Sequence, residues 1–184
     1  MNLALKILKT YKMNLFVSLT MGIVITAVRV EKIPLNIFLI FFSSLIGTFV
    51  LEFDYFIHAY IFEPNGAFSQ GLKDLMKQRN YTGVVSFIKS NRFNIPSMIL
   101  YGAMFQMIMA FLSLVLVTSE GIFGISLTLS VLAQTFYKMF EEYEKHHSLS
   151  EWFWILKDKP SKSVQLAYAL AMGLFLVYIL SQLA

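Results

Sequence analysis

No cysteine occurs among the 184 residues, which excludes disulfides, thiolate metal sites and thiol nucleophiles. Charge is scarce as well. Asp, Glu, Lys and Arg together make up 14% of the chain, whereas a soluble domain needs about a quarter to cover its surface. The net charge of +4 sits beside apolar stretches rather than along one soluble face. Its natural counter-charge is therefore anionic lipid headgroups, not nucleic acid. Gly-x-Gly-x-x-Gly, P-loop and Gly-x-Ser-x-Gly elements are missing. No span is interrupted by Gly-Pro, so the half-helix substrate sites of many transporters are not expected. No internal repeat or low-complexity region is present.

What the chain does have is apolar surface: 57% of its residues are hydrophobic, gathered into five runs. A hydrocarbon core of about 30 Å takes roughly 20 helical residues to cross. The expected fold is therefore all-α, one polytopic membrane helix bundle over 1–184. Its five transmembrane helices fall at about 12–30, 34–61, 95–117, 122–145 and 162–183. The first run follows Lys6, Lys9 and Lys12 as a signal peptide would, but it is long and lacks a small-x-small site before Arg29. It reads as a retained span. Residues 1–12 form a basic amphipathic helix. Pro34 suits the first turn of a helix, and Pro64-Asn65-Gly66 ends one.

Residues 67–92 carry Phe68, Leu72, Leu75 and Met76 at helical spacing, opposite Lys73, Asp74, Lys77 and Arg79; Val84, Val85, Phe87 and Ile88 precede Lys89 and Arg92. Two short amphipathic cytoplasmic helices are expected, lying on the membrane surface or docked on the end of the bundle. Trp152 and Trp154 begin an interfacial segment, because Trp prefers the headgroup level. With the N-terminus inside, every Lys and Arg except Arg29 and Lys32 falls on one side. The positive-inside rule then makes this a cytoplasmic (inner) membrane protein with a cytoplasmic N-terminus and an outer C-terminus.

Polar groups inside spans are costly, so each calls for a reason. Glu52, Asp54 and His58 lie toward the cytoplasmic end of the second span, and Asp54 and His58 share a helix face. The fourth span reaches the same depth with Tyr137, Lys138, Glu141, Glu142, Glu144, His146 and His147. Two readings stand side by side. Asp54, His58, Glu142 and His146 can form a carboxylate–imidazole set for a divalent metal, with Glu52 or Glu142 as general base. Alternatively, these are helix-end charges, with Lys138 neutralising Glu52 or Asp54. No other cofactor is expected. Gln106 and Gln134 fall near mid-membrane and suit an interhelical amide hydrogen bond, or a substrate path. Ser43 with Gly47, and Ala169 with Gly173, make small-xxx-small faces for helices of the same chain or of a second copy. The Met and Phe residues read as packing and lipid-facing groups.

The stretch Val50-Leu51-Glu52-Phe53-Asp54-Tyr55 resembles the Pro-Asp-x-Asp-His element of small membrane-bound metal-dependent hydrolases, with Glu52 and Asp54 on its two acidic positions. Leu51 stands where that family has Pro, and Tyr55 where it has His. Its later His-Ser element would fall near Tyr101-Gly102 and its further His near Ala133-Gln134. The resemblance thus implies a scaffold from which most of the metal set is gone. Phe62-Glu63-Pro64-Asn65 and Trp152-Phe153-Trp154 are similar to segments of uncharacterised multi-pass membrane proteins of streamlined bacteria. The expected role is a non-enzymatic scaffold or partner-binding subunit. Its basic cytoplasmic face (Lys73, Lys77, Arg79, Lys89 and Arg92, with Trp152 and Trp154) would meet anionic lipids or a membrane or cytoplasmic protein. A divergent metal-dependent hydrolase and a small transporter or channel are the alternatives.

Overall fold

The computed structural model describes residues 3–91, 95, 98–119 and 121–183, and all regular structure among them is helical. The elements are α1 (Leu3–Thr10), α2 (Lys12–Val28), α3 (Pro34–Val50), α4 (Phe53–Ile57), one π turn (His58–Phe62), α5 (Ala67–Lys77), α6 (Tyr81–Asn91), α7 (Ala103–Val117), α8 (Ile122–His146), a 3₁₀ turn (Glu151–Phe153) and α9 (Lys162–Ser181). Pro34 takes the first turn of α3, as expected. The Glu31 carboxylate accepts the N–H groups of Lys32 and Ile33 and closes the turn before it.

Among the described residues, the expected five spans reduce to two, or three, by length and composition. α8 (25 residues) and α9 (20 residues) are long and apolar enough to cross a bilayer, and α3 with the Phe53–Phe62 segment qualifies as a bent pair. α2 has 17 residues and α7 has 15, which reach only about 25 and 22 Å at 1.5 Å per residue. Two local causes shorten or break the expected helices. At Leu51–Glu52 the bonding tightens from i+4 to i+3 (Glu52 N–H to Phe49 O, Asp54 N–H to Leu51 O), and the axis bends by 40°. Before α7, the N–H of Leu100 is held at 2.6 Å by Asp54 Oδ2, with the N–H groups of Ile99 and Tyr101 directed at the same carboxylate. Helix therefore starts at Ala103 rather than near 95.

α8 is the central helix and mostly buried, whereas α9 is mostly exposed. It packs on α2, α3 and α7. Ser130 faces Ser44, and Lys138 faces Glu52, so α3 and α8 run parallel; Gln134 on Asn14 and Ser130 on Ser18 make α2 antiparallel to both. Small side chains allow the close approach of α3 to α8: a Cβ on Gly47 would come within 2.8 Å of Ser130 Oγ. Gly47 therefore serves a contact within the chain.

Many polar side chains share the interior with the apolar core, and many large apolar ones lie outside. Asn14, Ser18, Ser43, Ser44, Thr48, Gln106, Ser113, Ser126, Ser130, Gln134 and Thr135 are buried, while Phe16, Phe38, Phe111, Leu170, Leu174 and Val177 are exposed. Apolar clusters fill the rest: Met21, Ile25, Ile40, Ile125 and Leu129 at one end, Leu51, Ala110, Val131, Leu132 and Met172 in the middle. α5 and α6 dock on the bundle, with Leu72, Val84 and Ile88 buried against Tyr55 and Ala59. Of the two expected placements for the amphipathic segment, the apolar faces take the end of the bundle.

Candidate functional site

At the bend in the α3–α4 pair, three other parts of the chain meet on one carboxylate. Glu52 is buried; its Oε2 accepts the Tyr11 hydroxyl at 3.1 Å, and its Oε1 accepts the Tyr101 hydroxyl at 3.4 Å. Lys138 Nζ approaches the same Oε1 at 3.5 Å and reaches Glu141 Oε2 at 3.7 Å. The Lys138 ammonium also lies 5.5 Å from the centre of the Tyr101 ring, where the negative face of the ring attracts a cation. Glu141 in turn accepts the Tyr137 hydroxyl at 2.7 Å. Each of these groups is satisfied by another, and a buried ion pair needs such extra hydrogen bonds to offset desolvation.

The charge-network reading of helix-end residues thus describes Lys138 and Glu52, though not Asp54, whose carboxylate holds the 99–101 backbone instead. His58 Nε2 pairs with Glu63 Oε2 at 3.2 Å, at the π turn, and its ring meets Phe68 edge-on. His146 Nε2 pairs with Glu142 Oε1 at 3.6 Å near the end of α8. Asp54, His58, Glu142 and His146 are not gathered into one set: among the described residues no group of three or more His, Asp or Glu side chains is placed to share a metal ion.

The mid-bundle glutamines do not bond to one another. Gln106 Oε1 accepts the Trp152 indole N–H at 3.2 Å and the Tyr168 hydroxyl at 2.9 Å. Gln134 Nε2 donates to Asn14 O at 2.6 Å and Ser18 Oγ at 2.9 Å. Trp152 is consequently a core residue, 3% exposed and packed with Ala103, Met139 and Leu149. Its side chain is turned into the bundle, not outward to lipid as expected. A buried indole N–H needs an acceptor, and Gln106 supplies it. Trp154 lies against Gly102.

Of the expected basic contact face, Lys77, Arg79 and Lys89 are exposed. Lys73 Nζ donates to Pro64 O at 2.8 Å and lies 5.2 Å from the Tyr60 ring, so it closes the 63–66 turn. Arg92 lies outside the described residues.

Tyr11, Asn14, Ser18, Tyr101 and Tyr168 are participants that the sequence reading did not place in these clusters, and Trp152 is one that it placed elsewhere. A usable signal was present for the others: Ser44, Thr48 and Glu52 on one helix, and Ser126, Ser130, Gln134 and Lys138 on another, recur every four residues, the spacing of a single helix face. Comparison of the chain with family models, curated proteins and solved structures finds no match.

Proposed function

We propose that this chain is a multi-pass protein of the cytoplasmic membrane and a non-enzymatic scaffold or partner-binding subunit. Its basic end faces the cytoplasm and meets anionic lipid headgroups. The observation that carries the membrane reading is the set of buried hydroxyls and amides together with the many large apolar side chains outside. Lipid solvates the outer groups, and buried polar pairs hold helices together without a hydrophobic drive between them. α2 packs along α3 and α8, and α7 packs along α8. The N-terminus is then cytoplasmic, and α9 carries the C-terminus across to the side of Arg29 and Lys32.

The scaffold reading is supported by the way the polar cluster is used: Glu52, Asp54 and Lys138 each hold another part of the chain. With the apolar faces of α5 and α6 docked, Lys77, Arg79 and Lys89 remain on the outer surface, where each basic group near an anionic leaflet contributes about 1 kcal/mol. The likeness of residues 50–55 to metal-dependent membrane hydrolases then reflects a layout kept without its chemistry.

The test is amide hydrogen exchange of the full chain in bilayers with and without an anionic lipid. Residues 67–91 are expected to exchange more slowly in the anionic bilayer, and Lys77→Gln, Arg79→Gln and Lys89→Gln together should remove the difference. Equal exchange in the two bilayers for the wild type would refute the lipid contact. Stoichiometric zinc or manganese in purified protein, lost in Asp54→Asn, would favour the hydrolase instead.

A further inference from the structure

The stripe joining α2, α3 and α8 contains a directed chain of hydroxyls. Ser130 Oγ donates its one proton to Ser44 O at 2.8 Å. In the 3.0 Å Ser18–Ser130 contact Ser18 must therefore be the donor. Ser18 Oγ then accepts from Thr48 Oγ1 at 2.8 Å and from Gln134 Nε2 at 2.9 Å. Gln134 is oriented by Asn14 O, which only its N–H group can serve, so its carbonyl oxygen is turned away from these partners. That oxygen and Asn14 Nδ2 have no hydrogen-bond partner among the described residues, and neither do Ser44 Oγ and Ser126 Oγ. All four residues are at least nine-tenths buried. An amide group taken out of water with no partner is strongly disfavoured. One acceptor and one donor within the same three-helix interface are what a water molecule satisfies, since it donates to one and accepts from the other.

We propose that α2, α3 and α8 enclose a hydrated polar site, in which water binds between Gln134 Oε1 and Asn14 Nδ2 and extends along the Ser44–Ser126 side of the stripe. The site adjoins the Glu52–Lys138 pair, one turn beyond Gln134 on α8 and one turn beyond Thr48 on α3. It is closed at the opposite end. There Met21 and Ile25 follow Ser18 on α2, Ile40 precedes Ser44 on α3, and Ile125 and Leu129 flank the stripe on α8; all five are buried in one apolar cluster. The site is a vestibule with one wet end, not a pore.

The cysteine-free chain allows a direct test with silver ion, which travels in water and reacts with thiols. Asn14→Cys and Ser44→Cys disrupt none of the hydrogen bonds described above. In bilayer-reconstituted full chain both are expected to react at least tenfold faster than Ala110→Cys, in the apolar middle cluster, and than Ile25→Cys, in the closed end. Rates no faster than that of Ala110→Cys would overturn the hydrated site. A rate at Ile25→Cys equal to that at Ser44→Cys would overturn the closed end. Wild-type protein provides a reading free of any folding defect: magnetisation transfer from water to the Gln134 and Asn14 side-chain amides in solid-state NMR. Transfer supports the site, and no transfer overturns it.

Discussion

At the scale of single residues, the two glycines of the small-xxx-small faces separate cleanly. A Cβ on Gly47 would meet Ser130 Oγ at 2.8 Å, Ser130 Cβ at 2.9 Å and the Val131 backbone nitrogen at 3.3 Å, whereas Gly173 has nothing within 4 Å. Gly47→Ala should force α3 from α8 and lower stability by about 1–3 kcal/mol. Gly173→Ala should be neutral or stabilising by up to about 1 kcal/mol, the helix propensity gained over Gly. Thermal unfolding in one detergent compares the two. The sequence places both glycines in the same pattern; only the packing of α3 tells them apart. The Glu52–Lys138 pair makes a second residue-scale prediction. Lys138→Met leaves two carboxylates, Glu52 and Glu141, without their shared cation and should cost about 3–5 kcal/mol, as removal of one partner of a buried pair does. Adding Glu52→Gln to that variant should restore part of the loss. An additive pair of effects in the same unfolding measurement would count against the direct contact.

At the scale of elements, the docked α5–α6 pair is the clearest case of tertiary packing deciding between equal expectations. The amphipathic pattern of 67–91 marks an apolar face without saying what covers it. Leu72, fully buried against the bundle end, supplies the answer. Leu72→Ala should cost about 2–5 kcal/mol, appearing as faster amide exchange confined to the α5–α6 segment while α3 and α8 stay protected. Exchange rising equally throughout the chain would mean that the segment has no separate stability. The broken second helix follows the same logic. Hydropathy runs unbroken across 34–61, and no Pro or Gly signals a break at Leu51–Glu52. The bend coincides with two carboxylates, Glu52 and Asp54, that find partners on α8 and on the 99–101 backbone.

At the scale of the whole molecule, the partition of basic residues becomes a statement about sidedness. The α5–α6 end holds Lys77, Arg79 and Lys89, and the α2–α3 turn holds Arg29 and Lys32. In intact cells an impermeant thiol reagent should label Lys32→Cys, and should label Lys77→Cys only after the membrane is opened. The reverse pattern would invert the proposed orientation, and labelling of both in intact cells would place both ends on the outer side.

Composition and periodicity by themselves determined the helical class, the apolar character of the long segments, the uneven placement of Lys and Arg and the four-residue stripes of polar groups. These are local properties, set by which side chains recur on one face of a helix. Contacts between segments far apart in the chain decided the rest. They made Lys138 the partner of Glu52, turned Asp54 to the backbone before α7 and seated Trp152 on Gln106 in the interior. They kept the candidate metal ligands in separate pairs. Helical spacing fixes which residues share a face but not how far one helix is rotated against the next, and that rotation determines which polar groups meet.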